Sequence, residues 1–382
     1  MDFALTEEQL FFRKTVAETM DRLVAPRAEA IDRTGEFPRD LFRQFGELGY
    51  FGLRHRAEVG GMEADPVTSL LFFEEIARAS FGFATAVTMQ CLMGTYFLGR
   101  FGSPRITEEL LKPAIRGEKI ATICFTEDQS GSDLGATRTL ARREGDGWVL
   151  SGKKMWITQA HLADFYTVLA TSDPSKGMKG LNFFLVERDR PGVSTGQKLE
   201  KLGARGTVTG EVLFDEVKLP AENLLGEKEG MGASYLGDIL DFIRCATAAL
   251  ALGLARASFA DSLEYARKRV AFGKPIGNYQ LIRSKFAEMS TEMEAARLLT
   301  YCVAWEIQKG IPCRVKACQA KMLATEVCCK VVDEGTRIYG GNAFAHEYPA
   351  QRYFRDARFL LYGGGTHEVL KDFIGREIIG RL

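Results

Sequence analysis

Apolar residues near the start of the chain recur at helical spacing, with Phe12, Val16, Met20 and Leu23 in register until Pro26 interrupts them. A capping box opens this run: Thr6 caps the backbone and Gln9, three residues on, reaches back. From about Lys119 to Gly226 the pattern shortens to runs of β-branched and aromatic residues, TRTLARR, GWVLSGKKMWIT, FYTVLAT, NFFLVER and GEVLFDEVKL, separated by Gly, Pro and Asp turns. After Gly232 the helical period returns, with Ile282, Phe286, Met289 and Met293 on one face, and it continues almost to the end. The pattern predicts a mainly α chain with a central β domain, divided at 1–118, 119–228 and 229–382.

Composition narrows the function classes. The 382 residues are 46% hydrophobic and 26% charged, and 50 basic residues cancel 50 acidic ones, so no basic field recruits nucleic acid. The longest apolar stretch, around Cys245 to Ala255, is about half of what a membrane span needs, and the first residues are acidic where a signal peptide is basic. A cytoplasmic protein with no membrane contact is expected. Eight cysteines include no CxxC pair and read as buried thiols. The four histidines, His55, His161, His346 and His367, are scattered, each reads as a lone surface residue, and no metal site is expected. Neither a Rossmann GxGxxG nor a Walker A loop is present, so a nucleotide cofactor would be held another way.

Five segments carry candidate chemistry. Phe125-Thr126-Glu127-Asp128-Gln129-Ser130-Gly131-Ser132-Asp133 reads as a strand end followed by a loop whose backbone amides suit a phosphate or a flavin edge, or as a plain turn. Lys154-Met155-Trp156-Ile157-Thr158 sets an aromatic ring and a hydroxyl two residues apart, on one face of a strand, for a cofactor or for ordinary packing. Arg269-Val270-Ala271-Phe272-Gly273-Lys274-Pro275-Ile276, with Gln280 beyond it, breaks a helical pattern. Arg337-Ile338-Tyr339-Gly340-Gly341-Asn342 is the fourth. The fifth runs from Arg352 through Arg355-Asp356-Ala357 to Tyr362-Gly363-Gly364-Gly365-Thr366-His367-Glu368, where paired glycines admit a ligand to the backbone or end helices.

In this order and at these separations the segments resemble the acyl-CoA dehydrogenase family, whose patterns are TEPxAGSD, WIT, RxxFGxPIxxxQ, GGxGYxxExPxxRxxRDA and EGT. The resemblance spans the whole chain and implies three domains: N-terminal helical, middle β-barrel or sandwich, and C-terminal four-helix bundle. It also implies FAD, a CoA or carrier-protein thioester as substrate, electron-transfer flavoprotein as acceptor, and a homo-oligomer, dimer or tetramer, that completes each flavin crevice. By this likeness Phe125 and Thr126 lie along the flavin, Ser132 lies near the pyrophosphate, and Trp156 and Thr158 cover the ring. Arg269, Phe272 and Gln280 match partner-subunit contacts, Gly341 and Thr366 match contacts at the other end, and Glu368 matches a cofactor position usually held by Gln. Arg337 stands where the family has Gln and reaches a phosphate through its guanidinium fork. Asp241 and Arg244, three apart on one helix face, match the segment near the pantetheine arm.

Dehydrogenation of an acyl-CoA needs a base for the α-proton, a glutamate in most of the family. The two family positions hold Gly364 and Ile243 here, and neither accepts a proton. Four explanations are open. A base has moved, with Cys91 in the segment Thr88 to Leu92 as a weak candidate against the plainer reading of a buried thiol. The glycines make room for a branched, cyclic or bulky acyl group. The scaffold runs another reaction, such as enoyl-thioester reduction or elimination from an activated substrate. Or the chain is the non-catalytic subunit of a heteromeric complex. Glutaryl-type members place an arginine in the N-terminal pocket helix, and residues 84–92 contain none, which disfavours that substrate.

Overall fold

The computed structural model describes residues 4–226 and 228–380. Helix α1 (Glu7–Leu23) opens with the expected capping box: the Gln9 amide donates to Thr6 Oγ1 and the Thr6 amide to Gln9 Oε1, both at 3.1 Å. Val16 and Met20 turn inward. Helices α2 (Ala28–Thr34), α3 (Arg39–Glu47), α4 (Pro66–Ala79) and α5 (Phe81–Thr88) come next, and α5 runs on through a π-helical stretch, Met89–Gly94, into α6 (Tyr96–Phe101). The π register leaves Thr95 Oγ1 donating to the Gln90 carbonyl at 2.7 Å. Gln90 itself is buried and ties the helices to the sheet: its amide donates to the carbonyls of Ala114 and Lys119, and its oxygen accepts from the Ala121 amide. Short helices α7 (Pro104–Ile106) and α8 (Lys112–Ile115) complete this part. The run Phe81–Phe101, not the stretch at Cys245, is long and apolar enough by composition to span a membrane, but 72% of its apolar window is buried inside the protein.

Seven strands form the central sheet: β1 (Ala121–Cys124), β2 (Leu140–Glu144), β3 (Gly147–Thr158), β4 (Phe165–Thr171), β5 (Leu181–Glu187), β6 (Val193–Lys198) and β7 (Thr209–Leu219). The order is β1-β4-β2-β3-β7-β6, with β5 antiparallel on β4 and β1 parallel to it. The polar edge strand β6 has no inward apolar row and so left no alternation in the sequence.

The C-terminal part is built on α9 (Gly232–Lys268), which packs against α4, α10 (Gln280–Gln308) and α11 (Arg314–Tyr339). Residues Phe242 to Ala255 of α9 are all buried, which explains the unbroken apolar run. At Gly253 a Cβ would come within 2.0 Å of the Glu74 carbonyl, so glycine is what lets α9 and α4 touch. Beside it Arg256 is held by Glu74 and Glu75 at 2.6 and 2.9 Å. The hairpin of β8 (Val270–Ala271) and β9 (Lys274–Pro275) links α9 to α10, and α12 (Ala350–Ala357) and α13 (His367–Ile379) close the chain. Met289 is buried, with Ile282, Phe286 and Met293 against the core, as their spacing predicts.

Seven of the eight cysteines are buried and all are free. Two histidine readings are corrected. His55 is buried against Thr95, and burial lowers its pKa to about 4. His367 is buried between Thr325 and Glu326.

Candidate active site

The strand β1 hands the chain to Phe125 and Thr126, and a buried ion pair anchors the loop beyond them. Lys154 Nζ donates to the Phe125 carbonyl at 3.1 Å and to Glu127 Oε1 at 2.6 Å. Glu127 also accepts from the amides of Arg138 and Thr139 and from Thr139 Oγ1. Burial alone would raise the Glu127 pKa, but Lys154 and these donors hold it below the usual carboxylate range. The loop between is thereby closed at its base. Among the described residues no acceptor within the chain meets the amides of Gly131, Ser132 and Asp133, which leaves them free to bind an anion.

The Met155 amide donates to the Thr126 carbonyl at 2.9 Å, joining the first two segments. Strand parity fails at the next residue. A bulge between Lys154 and Ile157 turns Trp156 to φ 59°, so its face cannot be read from its spacing to Thr158. The indole is left 57% exposed beside the loop, an open apolar ring held on strained backbone. Thr158 is partly buried, and its carbonyl accepts from Thr122 Oγ1.

Across from the sheet, Phe125 and Leu134 pack on the same apolar cluster as Met89, Met93 and Tyr96 from the N-terminal helices and Ile239 and Ile243 from α9. All three parts of the chain therefore line one region. Asp241 and Arg244 lie at its α9 wall, 3.7 Å apart, with Arg314 3.6 Å from Asp241. Asp241 Oδ1, Arg244 Nε and Arg244 Nη1 are buried without hydrogen-bond partners, polar atoms of the kind a bound ligand satisfies.

The glycine loop meets α9 one turn further on. Gly364 has φ +74°, and a Cβ there would lie 3.1 Å from Thr247 Oγ1. That hydroxyl donates to the Ile243 carbonyl at 2.8 Å. The two positions that the resemblance gives to a base thus flank one threonine. Lys321, fully buried on α11, donates to the Gly365 carbonyl at 2.8 Å, and burial lowers its pKa to about 8. Thr366 caps α13, accepting from the Val369 amide, and Glu368 is exposed in the first turn of that helix. Lys321 lies outside the five segments; the signal available for it is a lysine in a helical register with Ala317, Ala324 and Cys328, all buried.

Cys91 is corrected. Its thiol donates to the Tyr50 carbonyl in the core, and burial pushes its pKa far above neutrality, so it cannot take a proton. Arg355-Asp356 is structural as well: Asp356 accepts from the Ala204 amide at 2.7 Å, and Arg355 pairs with Asp32.

The remaining site residues lie elsewhere. Arg269 is 26 residues beyond Ile243, at the far end of α9, about 39 Å along a helix. Phe272, at φ 50°, is 97% exposed there, and Gln280 starts α10 nearby. Arg337, paired with Asp333 at 2.9 Å, and Gly341 are at the same end, where Tyr265 of α9 stacks on Tyr339.

Family models described as the N-terminal, middle and C-terminal domains of acyl-CoA dehydrogenase match residues 6–118, 122–217 and 230–379. The chain belongs to the acyl-CoA dehydrogenase family. Among curated relatives it is 44% identical over 378 residues to benzylmalonyl-CoA dehydrogenase of Aromatoleum aromaticum, covering 99% of this chain and 100% of the relative. Among solved structures it is similar to butyryl-CoA dehydrogenase from Megasphaera elsdenii, with TM-score 0.95, 35% identity and 100% of both chains covered. A chain from work on the electron transferring flavoprotein of Acidaminococcus fermentans gives TM-score 0.96 at 32% identity, again over 100% of both chains. This acyl-CoA dehydrogenase is an FAD-dependent oxidoreductase acting on acyl-CoA. The residues fit that cofactor, since the unpartnered amides of the 131–133 loop and the exposed Trp156 ring offer the anion and ring contacts a flavin nucleotide needs.

Proposed function

We propose that the enzyme dehydrogenates a 2-carboxyacyl-CoA, a thioester of the substituted-malonyl kind, and releases its carboxylate as CO2. The observation that carries this reading is the meeting of Gly364 and Ile243 at Thr247, with no proton acceptor at either position and the threonine hydroxyl committed to a carbonyl. A malonyl thioester carries its second carboxylate on the α-carbon, and the relative named for benzylmalonyl-CoA supports that substrate class. Breaking the bond between the α-carbon and the carboxylate leaves the electron pair that a base would otherwise free by taking the α-proton. That pair forms the new double bond as a hydride leaves the β-carbon, so the anionic substrate gives a neutral enoyl-CoA, CO2 and one hydride. FAD supplies the two-electron acceptor for that hydride.

The chain's own residues then bind and orient. Phe125, Thr126, Ser132, Trp156 and Thr158 hold the flavin, while Asp241 and Arg244 take the thioester arm with the polar atoms now lacking partners. Gly364 leaves open the space that a glutamate side chain would fill. On anaerobic addition of 2-benzylmalonyl-CoA to the oxidised holoenzyme, the flavin should bleach with one CO2 released per flavin. Bleaching with the carboxylate retained, or no bleaching, overturns the reading.

A homo-oligomer belongs to the same proposal. Arg269, Phe272, Gln280, Arg337 and Gly341 stand about 39 Å from the Ile243 end of α9, too far to serve the same flavin, so they complete the site of a second copy. The exposed Phe272 and Phe344 at that end support a covered surface. Electron-transfer flavoprotein as acceptor and a cytoplasmic location complete the reading, the latter in keeping with eight unpaired thiols. Arg269→Ala should lower the FAD content of the purified protein by removing a pyrophosphate contact, read from the flavin-to-protein absorbance ratio; unchanged occupancy sinks that role.

A further inference from the structure

Arg54 lies in the segment between the turn at Tyr50–Gly52 and α4, and its guanidinium carbon sits 3.5 Å from the ring centroid of Phe242. Phe242 is buried in the thioester-binding segment of α9, between Asp241 and Ile243. Three other inward-set arginines are neutralised at close range: Arg256 by Glu74 and Glu75, Arg355 by Asp32, and Arg78 by Asp21 and Glu75, while buried Arg244 has Asp241 at 3.7 Å. Among the described residues Arg54 has no carboxylate partner and no hydrogen bond; its contact is the Phe242 face.

The groups around it form no ion pair with it, and these include Asp238, one turn before Phe242 on α9, whose charge acts on Tyr96. His55 is uncharged at neutral pH and bonded to Thr95, and Tyr96 is a neutral phenol whose pKa burial raises. Burial lowers the Arg54 pKa to about 10, which still leaves it cationic at pH 7. Yet the residue keeps accessible surface. A cation that is deep, unpaired and still accessible lines a crevice, and buried charges call for a partner. Tyr96, close enough to interact with Arg54, packs on the cluster that holds Phe125, Met93, Ile239 and Ile243, so Arg54 adjoins the apolar region that all three parts of the chain line.

We infer that Arg54 is a specificity-determining residue that binds the carboxylate of the acyl group, with its planar fork on the two carboxylate oxygens and Phe242 fixing the guanidinium plane. This rests on the 2-carboxyacyl reading and deepens it by naming the residue that recognises the charge. It also places the recognition outside residues 84–92, which contain no arginine. A guanidinium–carboxylate pair is directional as well as strong, so it orients the bond to be broken while uncharged acyl chains gain nothing from it.

The test uses reduced holoenzyme, which cannot accept a hydride and therefore binds without turnover. Dissociation constants are measured for 2-benzylmalonyl-CoA and for 3-phenylpropionyl-CoA, which differ only in the carboxylate. In Arg54→Met, affinity for the carboxylated thioester should fall by about tenfold or more while that for the uncharged one stays within about twofold. Arg54→Lys should fall between, keeping the charge without the fork, and it keeps the test open should the methionine variant misfold. Equal weakening of both ligands would assign Arg54 to the phosphates of CoA, and no change in either would leave it without a ligand; each outcome overturns the inference. If the carboxylated thioester binds through Arg54 yet the oxidised enzyme releases no CO2 from it, the recognition stands and the decarboxylating reaction fails.

Discussion

A saturated acyl-CoA without an α-carboxylate should bind the oxidised holoenzyme and bleach its flavin about 10²–10⁴ more slowly than the carboxylated counterpart does. The factor is what a positioned general base contributes, and the groups around Gly364 cannot supply one at neutral pH. The Thr247 hydroxyl is weakly acidic and donates to the Ile243 carbonyl. His367, three residues beyond Gly364, has both ring nitrogens engaged, by Thr325 and Glu326, and Cys91 is a protonated thiol in the core beside Tyr50. Lys321 is buried and directed at the Gly365 carbonyl, and with a pKa near 8 it is mostly protonated at pH 7. Because its folded pKa lies below the ordinary lysine value, its neutral form accumulates only as the pH rises through about 8. Any residual dehydrogenation of plain acyl-CoA should therefore climb over that interval, and exchange of the α-proton with deuterated solvent should be undetectable below it. Flavin reduction by butyryl-CoA or 3-phenylpropionyl-CoA at pH 7, within tenfold of the carboxylated substrate, would show that an unrecognised base exists.

Local features were legible in the sequence because their causes are local. The capping box of α1, the apolar face of α10 and the buried cysteines reflect neighbours a few residues apart. Motif order, rather than periodicity, carries the family. What escaped depends on partners far apart in the chain. Nothing near Lys154 or Glu127 announces that they meet as a buried pair that shapes the loop at Gly131. The bulge at Trp156 defeats a parity argument that assumes regular pleating. Arg54 is one of two arginines in GLRHRAE, and only the fold shows it against Phe242 with no ion-pair partner among the described residues. The same holds for the two empty base positions: the sequence shows each as a missing glutamate, and the fold brings Gly364 against Thr247, one turn beyond Ile243 on α9.

Gly364→Glu should convert the enzyme toward ordinary acyl-CoA dehydrogenation, raising flavin reduction by plain saturated thioesters by about 10²–10⁴. The new carboxylate enters beside Thr247, at the wall shared with Ile243, where the α-carbon must lie if either family position is to reach it. Two structural costs oppose the gain. Gly364 is left-handed at φ +74°, which costs a residue with a side chain about 1–2 kcal/mol, and its Cβ would press on Thr247 Oγ1 at 3.1 Å. Adding Thr247→Ala removes the close contact and the hydroxyl, so the double variant should exceed the single one. Both variants should lose activity on the carboxylated substrate, because the introduced glutamate and the substrate carboxylate claim the same space with the same charge. Preference between carboxylated and plain thioesters should therefore invert, measured as the ratio of kcat/KM for 2-benzylmalonyl-CoA and 3-phenylpropionyl-CoA. Ile243→Glu approaches the same α-carbon from α9 and should produce a weaker gain, since its backbone is helical and carries no strain but its side chain must displace part of the apolar cluster. Variants that bind FAD and both thioesters yet reduce flavin with neither would place the reacting carbon elsewhere and remove the premise on which decarboxylation replaces the base.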